Sequence, residues 1–543
     1  MKTKLFRTFL VLTVLLVAIV PTALADNGTD SSALRAVVTV AGIRAHQKEF
    51  QNFAKADGGT RVAGFPGHDD SAAYVAAKAA AAGYNVTLQE FTYDFFQEFA
   101  TPILDQIAPN SVSYPANNLA GFATMTYSGS GDFTQLVQAT NDIVIPPGPV
   151  AGTSNSGCDG DFTEVGAGGF GNIVPDPAGP DDFASFVPGR IALVQRGTCT
   201  FALKATNALA AGAVGVIIFN EGQPGRTDAF GGTLGGTVSA TLPVVGAAFS
   251  VGQDLYNLSQ QPSGVTVHLF TNTSTTLETT RNVIAESPGG RTDRVVVVGA
   301  HLDSVPEGPG INDNGSGSAT ILEIALQMAA LNIQPRNQVR FIWFSAEEAG
   351  LLGSQFYVDQ LSNNEIKDIA VMLNFDMVGS PNFVRFVYDG DGSGTGTVGP
   401  NGSDVVEDVF LDYFAGQSLP NEPTAFDGRS DYGPFIDVGI PAGGLFTGAE
   451  GLKTVAQVGV YGGLAGVQYD PCYHLACDTF KGTGSGNGAT PPGLGLTALD
   501  QMSDAAAHAV LTFAMTTSAV NGTDKGNGQG QADMEFQGAN LKK

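Results

Sequence analysis

Apolar residues fall along this chain in two rhythms. One has the period of a helix: residues 34–55 set Ile43, His46, Phe50 and Phe53 on one side, and the alanine-rich stretch 70–82 continues in that way. The other is the short saturated run of a strand. Val295 to Val298 are four β-branched residues in succession, the pattern of a strand buried on both faces. From residue 281 onward the two rhythms alternate. A strand at 295–299 precedes a helix at 319–331 that is apolar nearly all round; strand 339–345 precedes helix 351–361; strand 370–375 ends at Asp376. Strands alternating with helices specify an α/β domain whose sheet is mostly parallel and flanked by helices. An alternating strand at 84–91, after the two early helices, reads as the first part of the same domain, interrupted by a long detour.

The detour spans residues 102–279 and is rich in Gly, Pro and short apolar runs. Within it, residues 189–201 give a strand and a loop, followed by a helix at 204–211 and strands at 214–219 and 242–245. That order, with the turn RGTCTF, resembles the β-rich protease-associated domain inserted in many secreted peptidases. It holds no catalytic triad or metal cluster, so a lid or a substrate-docking module is expected. The resulting division is a signal peptide at 1–25, a discontinuous α/β domain at 26–101 and 280–520, the insertion at 102–279, and a disordered tail at 521–543.

Composition narrows the setting. At 543 residues the chain is too long for one core. Acids outnumber bases 52 to 26, which excludes a nucleic-acid partner and favours a protein that repels its own copies, so a monomer is expected. Lys2, Lys4 and Arg7, an apolar run from Phe9 to Val20 and the sequence PTALA form an export signal cleaved after Ala25. The run is short for a membrane span, and no second one follows, so a secreted protein free of the membrane is expected. Four cysteines fit an oxidising compartment. Cys472 with Cys477, and Cys158 with Cys199, is the simplest of three connectivities.

The chemistry sits where the strands end. His301 and Asp303 follow the four valines directly, and Asp313 comes ten residues later in a Gly/Asn/Ser-rich loop before a helix. Glu347 and Glu348 follow the next strand, at the head of a helix, and Asp376 follows the one after. In parallel sheets ligand sites form beyond the carboxyl ends of the strands. His474 lies in DPCYHLACD, between the paired cysteines. Two histidines and a set of carboxylates, one of them shared, are what two zinc ions about 3.5–4 Å apart require. His46, His68, His268 and His508 have no such carboxylates around them and read as structural or surface residues.

The set AHLDS, INDNGSGSA, SAEEAGLLGS, NFDMVG, GRSDYGPF and PCYHLACD closely resembles the secreted di-zinc aminopeptidases of the leucine aminopeptidase/aminopeptidase Y type. The resemblance covers both sides of the insertion. It implies a zinc exopeptidase fold in which His301 and Asp376 hold one zinc, Glu348 and His474 the other, and Asp313 bridges them. It also implies Glu347 as general base, Asp303 as the partner orienting His301, and Tyr473 as donor to the oxyanion. Arg429 would fix the substrate, with Ser430 and Asp431 supporting its loop. Met377, Gly428 and Phe446 match positions near the pocket for the N-terminal side chain. A bridge between Cys472 and Cys477 would stiffen the loop carrying Tyr473 and His474. Apart from these, Asp500 and Asp504 lie four apart at the start of a late helix and could face one cation, for which calcium is the candidate.

The expected activity is removal of N-terminal residues, large and apolar ones by the pocket positions, from peptides or proteins with a free N-terminus. A carboxypeptidase of the glutamate type would need basic groups for a C-terminal carboxylate, and only Arg429 offers one. A glutaminyl cyclase would need one zinc and not two. A binding protein on an inactive peptidase scaffold would show eroded ligands, and all five are present.

Overall fold

The computed structural model describes residues 29–158, 182–485 and 490–521. The expected signal peptide and most of the expected tail lie outside them.

The described residues form two eight-stranded sheets. The first runs Asn85–Glu98, Thr273–Glu286, Asn337–Phe344, Arg291–His301, Ile369–Phe375, Ala442–Phe446, Phe386–Tyr388, Glu422–Thr424. Its four central strands, from Asn337–Phe344 to Ala442–Phe446, pair in parallel. Antiparallel pairs flank this centre on both sides. Val296 and Val298 pack into the core under helices Val40–Ala56, Gly315–Ala330 and Leu494–Met515. Val295 and Val297 pack into a second core with Tyr357 and Phe435 on the opposite face. The valine run is thus buried on both sides because alternate side chains serve two different cores.

Several elements begin elsewhere than periodicity suggests. The helix expected at 34–55 is two helices, Ser32–Arg35 and Val40–Ala56, because Thr39 turns extended and its hydroxyl accepts from Gly42 N–H as an N-cap. Helix Gly315–Ala330 starts four residues before the expected 319. Asn314 caps it, and small residues let it close on the sheet: a Cβ on Gly317 would lie 2.0 Å from Phe375 O.

The second sheet takes its strands from residues 103–271, in the order Val112–Ser113, Ile103–Ala108, Thr266–Thr271, Gly131–Ala139, Ile191–Gln195, Gly215–Phe219, Val244–Ala247, Phe122–Thr124. The RGTCTF turn leads into helix Phe201–Ala210. The two sheets communicate through the long antiparallel pair Asn85–Glu98 and Thr273–Glu286, in register from Asn85 opposite Glu286 to Glu98 opposite Thr273. Disulfides join Cys158 to Cys199 and Cys472 to Cys477. Among the described residues no helix is long and apolar enough to cross a membrane.

Candidate metal centre

The centre forms at the carboxyl ends of the parallel strands. Strand Arg291–His301 ends in His301, and strand Ile369–Phe375 is followed at once by Asp376. Asp313 enters from the loop before helix Gly315–Ala330 and lies between the two histidines. Its Oδ1 is 3.2 Å from His301 Nε2 and its Oδ2 is 3.2 Å from His474 Nε2. Asp376 Oδ1 lies 3.4 Å from His301 Nε2, and Glu348 Oε2 lies 3.0 Å from His474 Nε2. Three overlapping groups of donor atoms result: His301 with Asp313 and Asp376, His474 with Asp313 and Glu348, and His301 with Glu347 and Glu348; the first two share Asp313. All five sequence-predicted ligands come together.

Glu347 and Glu348 are not at the head of a helix. They sit in a turn that precedes helix Leu352–Asp359, with Ala346 and Leu351 at positive φ. Asp303 fixes this turn: its two carboxylate oxygens accept from the N–H groups of Glu347 at 3.2 Å and Glu348 at 3.3 Å. The same carboxylate lies 3.7 Å from His301 Nδ1, too far for a hydrogen bond but facing the edge it was expected to orient. Glu347 Oε2 stands 3.9 Å from His301 Nε2, outside the two groups that share Asp313.

The electrostatics are those of crowded acids. Burial, with the neighbouring Glu348, Asp376 and Asp431 against the relief from His301, pushes the Glu347 carboxyl well above its usual range. Burial likewise raises Glu348, with His474 opposing. The imidazoles are raised as well, here by the neighbouring acids. Against their burial, Glu347 and Asp376 carry His301 well above its ordinary value, and Glu348 and Asp313 carry His474 up to about 10. Glu348 Oε1 and Asp376 Oδ1 are buried with no hydrogen-bond partner among the described residues. Excess negative charge, orphaned carboxylate oxygens and two imidazole nitrogens form a mixed N/O donor set that fits zinc.

Other parts of the centre were silent in the sequence. Asp470 and Asp478 bracket the loop that carries Tyr473 and His474. Asp470 Oδ2 accepts from Asn312 Nδ2 at 2.6 Å, while Asp478 accepts from Asn312 N–H at 2.8 Å and Asp313 N–H at 2.9 Å. They bind the His474 loop to the Asp313 loop. Arg61, a few residues after helix Val40–Ala56, is wholly buried and donates to the carbonyls of Leu302, Pro309 and Gly310, spanning the stretch from His301 to Asp313. Ser430 supports Asp376 more than Arg429: its hydroxyl donates to Asp376 Oδ2 at 2.6 Å. Asp431 is buried, and that burial raises its carboxyl to about 7 against the relief from His301 and a hydrogen bond with Ser354.

Two cavities open on the centre. One, of about 60 Å³, is lined by Met377, Arg429 and Phe446 with Tyr388, Thr424 and Asp427. Gly428 lies behind this wall, at φ +76°, its N–H donating to Tyr432 Oη. The larger, about 350 Å³, is bounded by Glu347, Glu348, Arg429 and His474 on one side and by Asn117, Tyr127 and Thr233 of the inserted region on the other. Tyr473 faces both cavities, stacked on the His474 ring, with Arg429 Nη2 at 3.5 Å from its hydroxyl. Asp500 and Asp504 lie on helix Leu494–Met515, where Arg35 stands 3.8 Å from Asp504; no third acid joins them among the described residues. His46 is held by Tyr74 and Glu323, His268 by Asp132 and His508 by Ser31. His68 is buried beside Asp69.

A strand-end cluster of this kind, beside an inserted β-rich module, defines a metal-dependent exopeptidase. The model of peptidase family M28 matches residues 282–487, and that of the PA domain matches residues 140–255. An aminopeptidase of Pseudomonas aeruginosa strain UCBPP-PA14 is 43% identical over 432 residues, 79% of this chain and 75% of that one. Leucine aminopeptidase 2 of Trichophyton equinum is 48% identical over 309 residues, 56% of this chain and 60% of its own. The solved aminopeptidase from Aneurinibacillus sp. strain AM-1 superposes with a TM-score of 0.63 at 25% identity, covering 89% of this chain and 95% of that one. A zinc aminopeptidase from Bacillus subtilis shares the fold at a TM-score of 0.52 and 24% identity, over 87% and 94% of the two chains. The chain belongs to peptidase family M28 and carries a PA domain. It is an aminopeptidase.

Proposed function

We propose that this M28 enzyme is an exported zinc aminopeptidase that binds two zinc ions and releases N-terminal residues, large apolar ones foremost. The observation carrying this reading is Asp313, whose two oxygens each face one histidine of a separate cluster. His301 and Asp376 would hold one ion and Glu348 and His474 the other, with Asp313 shared. When bound, the pair supplies Lewis-acid polarisation of the scissile carbonyl and makes a water acidic enough to ionise near neutrality.

The protein's own groups do the rest. Glu347 lies outside the two groups that share Asp313, 3.9 Å from His301 Nε2. It takes the proton from the attacking water and returns it to the leaving amine. Tyr473 stays protonated, because burial raises its hydroxyl far above its ordinary value, and it donates to the oxygen that gains negative charge. Arg429 is held at 2.8 Å by Glu450 and borders both cavities. The small cavity, with Met377, Phe446 and Tyr388 in its wall, takes the first side chain, and its acidic rim suits a free α-ammonium. Among the described residues Arg429 is the one arginine or lysine lining either cavity, and it is already engaged, which disfavours a carboxypeptidase. The two disulfides and the N-terminal signal pattern support export.

The test is initial rates on leucyl-, lysyl- and glutamyl-p-nitroanilide, with and without chelator, for the wild type and Glu347→Ala. Expected is fast, chelator-sensitive release from the leucyl substrate, reduced roughly 10²–10⁴-fold in the variant with zinc content intact. Release from no substrate with two zincs bound would transfer support to the carboxypeptidase reading. Release from none with no bound metal would leave a binding scaffold.

A further inference from the structure

Away from the metal centre, one loop gathers carboxylates for which peptide hydrolysis has no use. The strand Phe386–Tyr388, one in from the edge of its sheet, runs into Asp389-Gly-Asp-Gly-Ser-Gly-Thr395, with an acid or a hydroxyl at every second position. Asp389, Asp391 and, from helix Ser403–Gly416, Glu407 each place a possible ligand oxygen within 4.8 Å of the others.

Folding accounts for some of these oxygens. Asp389 Oδ2 accepts from the N–H groups of Gly394 and Thr395 at 3.0 and 2.6 Å, and from the Thr395 hydroxyl at 2.6 Å. Glu407 Oε2 accepts from Gly390 N–H at 2.8 Å and Asp391 N–H at 3.3 Å. Asp391 Oδ1 accepts from Ser393 N–H at 2.7 Å. Asp389 Oδ1 is different. Asp389, which supplies one of the three clustered oxygens, is wholly buried, yet its Oδ1 has no hydrogen-bond partner among the described residues. Such an oxygen is costly unless something positive meets it. Among the described residues no lysine or arginine does so; the charges acting on Glu407 are those of Asp389 and Asp391.

We propose that the 389–395 loop and Glu407 form a calcium site, distinct from the zinc centre and from Asp500 and Asp504. All the side-chain donors are hard oxygens, which suit calcium or magnesium and not a thiolate- or imidazole-seeking metal. An irregular glycine-rich loop supplies the loose six- to eight-fold oxygen shell of calcium, completed by backbone carbonyls and water, better than the strict octahedron of magnesium. The ion would fasten the loop to its helix at their closest approach, where a Cβ on Gly390 would lie 2.1 Å from Ser403 O. The loop starts beside the substrate pocket: Asp389 N–H donates to Thr424 O at 2.9 Å, and Tyr388 and Thr424 both line the small cavity. Calcium there would hold that wall of the pocket in place.

The experiment is calorimetric titration of calcium chloride into the full chain, prepared zinc-loaded and calcium-free, with thermal unfolding measured alongside. The expected result is saturable binding that raises the unfolding midpoint by roughly 5 °C at about a hundredfold excess over Kd. Asp391→Asn and Glu407→Gln should each weaken binding about tenfold or more, while Asp504→Asn leaves it unchanged. Asp391 is exposed, so Asp391→Asn should fold and keep its calcium-free leucyl-p-nitroanilide rate, which separates loss of the site from loss of the fold. Absence of binding at millimolar calcium would overturn the proposal. So would binding unaltered by both loop variants, or binding abolished by Asp504→Asn alone.

Discussion

Asp303 touches two parts of the centre at once, and its substitution separates position from charge. Its carboxylate accepts from the N–H groups of Glu347 and Glu348 and faces the back of His301. An asparagine has one acceptor oxygen, so in Asp303→Asn an amide N–H would confront either a backbone N–H or the imidazole. The expected outcome is a zinc affinity lower by about 10–100-fold, read by competition with a chromogenic chelator. His301, Asp376 and Asp303 were legible because each closes or follows a strand that the apolar pattern had already located. Arg61, Asp470 and Asp478 were not. They act through backbone carbonyls and N–H groups far away in sequence, and a charged residue in a loop carries no mark of that. Glu407 was equally silent, and it makes a pH prediction. Burial, with Asp389 and Asp391 facing it from the loop and against two backbone N–H groups, raises its carboxyl to about 7. A raised folded value means that its contribution to stability is complete below the unfolded value near 4.5 and is lost as pH rises through about 7. Calcium-free protein should therefore lose stability across that window in urea titrations, and Glu407→Gln should remove that part of the decline.

The elements differ in what their disulfides protect. Cys158 and Cys199 are 41 residues apart, and a chain-entropy estimate gives their bridge about 4 kcal/mol against about 2 kcal/mol for Cys472–Cys477, only 5 apart. The short bridge closes the loop that holds Tyr473 and His474, whereas the long one lies in the inserted region. The double variant Cys158→Ser/Cys199→Ser should accordingly show the larger loss of stability and the smaller loss of kcat on leucyl-p-nitroanilide. Cys472→Ser/Cys477→Ser should show the reverse, measured by thermal unfolding and rates on the same preparations. A larger kcat loss from the long bridge would contradict this division. At this scale the sequence was a good guide to which elements exist and a weaker guide to where they start. The Thr39 cap splits one predicted helix, and the glycines after Asn314 extend another toward the metal centre. Both effects come from side-chain hydrogen bonding and close packing, which apolar periodicity does not register.

For the whole molecule, the question is what the inserted sheet contributes to a reaction whose chemical groups all lie outside it. The larger cavity has one wall from the metal centre and one from Asn117, Tyr127 and Thr233. A single residue attached to a chromophore has little reason to reach the second wall, whereas the following residues of a peptide must pass along it. Binding energy from those remote contacts can be used to position the scissile bond. Thr233 is partly exposed and outside the inserted core, so Thr233→Trp narrows the cleft without emptying that core. The expected outcome is a fall of about tenfold in kcat/KM for a hexapeptide beginning with leucine, with leucyl-p-nitroanilide within about twofold of wild type. Equal losses on both substrates would mean that the inserted sheet acts by shaping the metal centre, through the long ribbon of Asn85–Glu98 and Thr273–Glu286. No loss on either would mean that substrate leaves the cleft on the other side, so that the inserted wall does not select peptides.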